Sequence, residues 1–135
     1  MATVTAAGTL TSAVGDLLTD ALALSDSTAI TAGETTGLAR MKITSTAKGT
    51  SSGQVTVYTA DDFAAIAYVY IKNTDTTATD YIYIYDDTTS GDPVILQLAG
   101  GDWAFMPLKG DKTLKAYAPS GGNPFIEFMG FGTDQ

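Results

Sequence analysis

The sequence predicts an all-β protein: an antiparallel β-sandwich or jelly roll of eight or nine short strands. Three observations lead there. Short runs alternate apolar and polar residues, the period-two pattern of a strand with one buried face. Thr, which is β-branched and favours strands, supplies much of the polarity, while charged residues make up only 16%. Turn formers such as Gly100-Gly101-Asp102 and Lys109-Gly110-Asp111-Lys112 recur at close spacing. No long helical pattern alternates with the strands, so a parallel α/β sheet is not expected. The 135 residues, 14.0 kDa, suit one domain spanning residues 1–135 with its own core.

Residues 1–38 are rich in Ala, Thr, Gly and Ser and carry Asp16, Asp20, Asp26 and Glu34 without a base. Residues 1–19 are expected to be either an arm reaching a neighbouring subunit or an ordinary edge strand. Asp16 could cap a short helix carrying Leu17, Leu18, Ala21 and Leu22, but alternation of Leu22 and Leu24 favours a strand over 20–31. Leu38 to Thr46 reads as a strand with Ala39, Met41, Ile43 and Ser45 on one face. Gln54 to Thr59 follows with Val55 and Val57 inward, then Ile66 to Ile71 and Tyr81 to Tyr85. Val94, Leu96 and Leu98 form the next inward set. Trp103 to Leu108 is a return strand, and residues 113–118 turn Leu114, Ala116 and Ala118 inward. Phe125 to Phe131 closes the chain. Phe125, Met129 and Phe131 share one of its faces, Ile126 and Phe128 the other. A strand apolar on both faces is either central in the sandwich or covered by a partner.

Composition excludes much chemistry. There is no cysteine and no histidine. Disulfide scaffolds, thiolate sites, His-dependent triads and the usual zinc sites therefore fall away. No catalytic, metal or cofactor site is expected, and the chain reads as a non-enzyme. Net charge is −8, with seven scattered bases, which argues against nucleic acid and anionic membrane as partners. No run of about 18 apolar residues predicts a spanning helix. Met1-Ala2-Thr3-Val4-Thr5 lacks the basic start of a signal peptide, so production in the cytoplasm without Sec export is expected.

The strongest functional clue is aromatic. Tyr68 and Tyr70 occupy one side of their strand, and Tyr81, Tyr83 and Tyr85 one side of the next. If the loop Lys72 to Asp80 returned the chain antiparallel, five tyrosines would share one patch of sheet. That patch could be a protein interface, a stacking platform for sugars or bases, or a face packed under a loop. The candidate interface residues are Tyr68, Tyr70, Tyr81, Tyr83, Tyr85, Phe125, Phe128 and Phe131. Trp103, beside Phe105, Met106 and Pro107, is expected to anchor the core, with a small aromatic pocket as the alternative. The pairs Asp61-Asp62 and Asp86-Asp87 offer carboxylates, but no calcium-loop spacing surrounds them. They read as solvated loop acids.

The run Ala67-Tyr68-Val69-Tyr70-Ile71-Lys72-Asn73-Thr74-Asp75 resembles a piece of many small tailed-phage virion proteins. So does Ile95 to Leu108, an apolar strand, a Gly-Gly-acid turn and then Pro-Leu. The resemblance covers about residues 66–118 and is one of texture: acidic, Thr/Ala/Gly-rich and all-β. It implies a structural protein of the virion, most closely the capsid decoration or cement type. Such a protein would sit on the capsid exterior, usually as a homo-oligomer, here expected to be a trimer, and bridge major capsid protein subunits. A phage tail tube or fibre domain fits the same features. A carbohydrate-binding module is the further alternative.

Overall fold

A computed structural model describes residues 2–12, 22–49, 52–63, 66–88, 91–119 and 122–132. Among them every regular element is a β-strand and every pairing is antiparallel. The chain divides into two compact units, Met1–Ala32 and Gly33–Gln135.

The first unit is a two-stranded ribbon of β1 (Ala2–Ser12) and β2 (Leu22–Ala32), paired in unbroken register from Ala2↔Ala32 to Ser12↔Leu22. The segment 13–21, which holds most of the ambiguous stretch Asp16 to Leu24, lies outside the described residues. Alternation sorts the ribbon's faces. Val4, Ala6, Gly8 and Leu10 share one with Ile30, Thr28, Asp26 and Leu24, and the other is nearly all Thr, Ser and Ala.

The second unit is the sandwich. Its five-stranded sheet contains β3 (Glu34–Thr35), β4 (Ala39–Lys42), β6 (Ile66–Asn73), β9 (Trp103–Lys109) and β11 (Phe125–Gly132). The order is β3-β11-β6-β9, with β4 also paired to β11. Its four-stranded sheet has the order β5-β10-β7-β8, from β5 (Val55–Tyr58), β7 (Ile82–Asp86), β8 (Val94–Leu98) and β10 (Leu114–Tyr117). Among the described residues the sandwich therefore has nine strands, within the expected eight or nine, with the first sheet's edge divided into β3 and β4. β11 is central, flanked by β3 and β4 on one side and β6 on the other.

The core lies between the two sheets. Ala67, Val69 and Ile71 of β6 and Ile126 and Phe128 of β11 meet Ile82 and Ile84 of β7, Leu114 and Ala116 of β10 and Val55 and Val57 of β5. Phe63 closes one end, stacked on Tyr58 with ring centroids 6.0 Å apart. Gly132 makes that closure possible: a Cβ there would stand 2.3 Å from Phe63 Cγ. Two expected inward residues are not inward. Val94 is exposed because a bulge between Ile84 and Tyr85 pairs it with Tyr85, on the far side from the Ile84↔Leu96 pair. Met41 is exposed at the sheet edge beside Ile126.

Consecutive strands mostly change sheets, and the crossings are tied by Asn73. Its side chain is fully buried. The Nδ2 group donates to the carbonyls of Asp80 (2.7 Å) and Leu98 (3.2 Å), and Oδ1 accepts from the Asp75 N–H (3.1 Å). Its main chain donates to Asp102 O (2.9 Å) and accepts from the Gly101 N–H (3.0 Å). One residue thus joins the end of β6, the β6–β7 loop, the end of β8 and the turn into β9. A turn that was expected to return β8 on itself instead carries the chain to the opposite sheet. Gly100 lies beneath the β6–β7 loop, where a Cβ would meet Thr77 O at 2.3 Å.

Asn73→Ala is expected to destabilise the chain by roughly 2–4 kcal/mol, since each orphaned buried polar group costs about 1–3 kcal/mol. Gly132→Ala should destabilise it too, and the added Phe63→Leu should recover part of the loss. Urea denaturation of the three variants checks both.

Candidate interaction surface

The alternation that fills the core leaves the aromatic sides of the strands outside. On the five-stranded sheet the cross-strand register builds three rows. Phe131 pairs with Tyr68 and Tyr68 with Pro107. Met129 pairs with Tyr70 and Tyr70 with Phe105. Glu127 pairs with Lys72 and Lys72 with Trp103. Arg40 lies opposite Glu127 and Lys42 opposite Phe125, extending the face onto β4.

These side chains cover one another only in part. Tyr68 and Phe105 stack with centroids 6.0 Å apart and planes 11° from parallel. Phe105 tilts against Phe131 at 6.4 Å, which is why Phe131 is buried although it points away from the core. Trp103 is 54% exposed and Phe125 44%. The Arg40 guanidinium sits 5.1 Å over the Phe125 ring and its Nε lies 3.9 Å from Glu127 Oε1. Lys109 at the other corner pairs with Asp111 at 2.6 Å. Four of the chain's seven bases, Arg40, Lys42, Lys72 and Lys109, belong to this face, and Glu127 is the acid among them. A strongly acidic chain therefore presents one apolar surface with a basic rim. Burial, and then the neighbouring Glu127 carboxylate, raise the Tyr70 hydroxyl above the ordinary 10.0, so it is neutral at physiological pH.

The five tyrosines do not share a patch. β6 and β7 lie in different sheets, because the aliphatic sides of both must be buried and the sandwich achieves this by facing them across the core. Tyr83 and Tyr85 therefore lie on the outer side of the four-stranded sheet. There Tyr83 stacks on Tyr117 at 5.5 Å and Tyr85 meets Tyr117 edge-on at 6.0 Å. Tyr85 is fully buried, its hydroxyl donating to Gln54 Oε1 at 2.8 Å, while Gln54 Nε2 donates to Ala47 O at 3.0 Å. The loop after β4 covers that part of the sheet and is fastened by Lys48, whose Nζ donates to the carbonyls of Gly91 and Asp92. Lys115 is held to Asp87 at 2.6 Å. Tyr81 is half-buried just before β7, and Phe128 is in the core. Of the eight candidate residues, Tyr68, Tyr70 and Phe131 come together and Phe125 shares their face beyond the Glu127–Lys72 pair; Tyr81, Tyr83, Tyr85 and Phe128 do not join them.

Trp103 is corrected: it is an exposed residue of the sheet face, not a core anchor. Phe105, Pro107 and Met129 belong with it. The signal was present in β9, where Trp103, Phe105, Pro107 and Lys109 alternate with the aliphatic set Ala104, Met106 and Leu108. Among the described residues no group of three or more His, Cys, Asp or Glu is placed to hold a metal ion, and no helix is long and apolar enough to cross a membrane. Comparison with protein-family models, with curated proteins and with solved structures finds no match to this chain.

Burial raises the hydroxyls of Tyr58, Tyr70, Tyr85 and Tyr117 above 10.0, each first by desolvation and then by neighbouring charge or hydroxyl. These groups hold their protons more tightly folded than unfolded. Their contribution is complete below pH 10 and is lost as pH rises through the raised values. Alkaline titration followed by tyrosinate absorbance should show these four tyrosines ionising late, together with unfolding.

Proposed function

We propose that the chain is a non-enzymatic virion structural protein, a capsid decoration protein that grips neighbouring protein through the outer face of its five-stranded sheet. One observation carries this reading: an aromatic surface of Tyr68, Tyr70, Phe105 and Trp103, left partly open to solvent, with Phe125 exposed on the same face beyond the Glu127–Lys72 pair and Arg40, Lys42 and Lys72 among them. Exposed aromatic patches with a charged rim mark interaction sites, and Trp, Tyr, Phe, Met and Arg are the types enriched in protein interfaces. The architecture suits the role. A sandwich core with buried, hydrogen-bonded crossings is a rigid support, so ordering costs on docking are small. Repeated on a lattice, modest contacts add by multivalency. The resemblance of residues 66–118 to small virion proteins points the same way. The partners on this reading are the major capsid protein and further copies of the chain.

A carbohydrate-binding module is the second reading, favoured by the exposed indole of Trp103 beside Lys72 and Tyr70.

Mass spectrometry and immuno-electron microscopy of particles purified from the chain's native source test the proposal. The chain is expected in stoichiometric amounts on the particle exterior, and its absence from purified particles would overturn the reading. Trp103→Ser with Tyr70→Ser should leave the melting temperature within a few degrees, because surface substitutions usually cost under about 0.5 kcal/mol each. The same variant should lose particle binding by at least about tenfold, the scale of an interface hot spot. A glycan array that lights up through Trp103 would instead establish the second reading.

A further inference from the structure

The ribbon of β1 and β2 poses a physical problem. A two-stranded sheet is marginally stable in water by itself. Yet most of this ribbon is open to solvent, including the directly paired Leu10 and Leu24, 59% and 58% exposed. Its two faces are unequal. One is almost entirely Thr, Ser and Ala, whereas the other aligns Val4 with Ile30, Gly8 with Asp26 and Leu10 with Leu24; Ile30 is buried and Val4 half-buried, so the open part of this face is Gly8, Leu10, Leu24 and Asp26. The apolar face also contains an anomaly. Gly8 sits in the middle of a strand, where glycine weakens pairing. Its φ lies outside the left-handed region, and an added Cβ would meet nothing within 4 Å. Neither backbone conformation nor crowding within the chain requires glycine there. What it provides is a notch flanked by Ala6 and Leu10, with the Asp26 carboxylate across the pair. A glycine of this kind marks close approach by another group.

We infer that the open part of the ribbon's apolar face, around Gly8, Leu10 and Leu24, docks on the aromatic sheet face of a second copy of this chain. This rests on the role given above to the sheet face and names its occupant. Charge supports the choice. Among the described ribbon residues the charged side chain is Asp26, opposite Gly8 on the apolar face, whereas the sheet face carries Arg40, Lys42 and Lys72 around its aromatic rows. Two sheet faces meeting each other would oppose like charges. Space is available as well: at Gly8 the ribbon presents bare backbone where an added Cβ would meet nothing within 4 Å, with Leu10 and Leu24 beside it to receive a ring. Edge-to-edge strand addition is a poor substitute on β9, since Pro107 interrupts that outer edge and has no N–H to offer. The contact joins unlike surfaces, so it repeats head to tail and closes into a ring or continues as a filament.

The experiment uses the full chain, with light scattering and sedimentation velocity across a wide concentration range. The wild type is expected to assemble in a concentration-dependent manner. Gly8→Val should keep the circular dichroism spectrum and strand content, since the site has room and Val favours strands. It should nevertheless weaken assembly by about tenfold or more, as filling a contact at the centre of an interface does. Leu10→Asp with Leu24→Asp should behave alike from the ribbon side, and Trp103→Ser with Tyr70→Ser from the sheet side. Mixing these last two variants leaves one intact ribbon and one intact face, so a 1:1 pair should form and grow no further. A wild type that stays monomeric throughout, a Gly8→Val chain that assembles like the wild type, or a mixture that fails to pair would each overturn the inference. A monomeric chain that still binds particles through Trp103 would sink self-docking while leaving the decoration role standing. A chain that self-assembles but is absent from particles would do the reverse.

Discussion

The sandwich has one core, and everything else in the molecule follows from which sides of its strands fill it. Ala67, Val69 and Ile71 from one sheet and Ile82 and Ile84 from the other are fully buried against each other. At roughly 25 cal/mol per Å² of apolar surface removed from water, those aliphatic sides dominate the gain from folding. Period-two alternation then leaves no choice about the tyrosines: they face away from the core. An aromatic outer surface is thus the complement of an aliphatic interior, fixed by the same backbone.

The two outer surfaces meet different fates. On the four-stranded sheet, Tyr83, Tyr85 and Tyr117 stack on one another, and the loop carrying Gln54 and Lys48 is fastened over part of them. These rings serve the fold. On the five-stranded sheet the rows from Phe131 to Pro107 and from Met129 to Phe105 rely on mutual contact, and Trp103 and Phe125 remain exposed. Aromatic pairs stabilise a sheet by about 0.5–1.5 kcal/mol beyond the area they bury, which accounts for the stacked pair Tyr68 and Phe105. It gives no reason for an exposed indole beside Lys72. That asymmetry is the basis for assigning interaction to one face and structure to the other.

Local alternation made much of this legible in the sequence. The all-β class, the inward sets Val55 with Val57 and Leu114 with Ala116, and the two apolar faces of Phe125 to Phe131 follow from patterns within single strands, whereas the pattern alone left open whether that last strand is central or covered by a partner. What was not legible is which strands pair. Lys72 to Asp80 could have turned β6 back on β7 within one sheet, but the chain crosses the core instead, tied at that crossing by the Asn73 network. A buried Asn that binds carbonyls from Asp80 and Leu98, seven and twenty-five residues away, leaves no local trace. The misplacement of Tyr83 and Tyr85 follows directly from that crossing. Trp103 was misread for another reason: its size suggested the core, while its alternation with Ala104 and Met106 pointed outward. In Val94 the bulge at Tyr85 breaks the period on which the reading relied.

Trp103 is the chain's single tryptophan, so its fluorescence reports on the face in question without labelling. Emission maximum and quenching by a soluble quencher, measured for the dilute chain and again for the chain in its assembled state, test the account most directly. The account predicts red-shifted, readily quenched emission from the dilute chain, turning blue-shifted and protected on assembly. A tryptophan already protected in the dilute monomer, or equally accessible in both states, would contradict it.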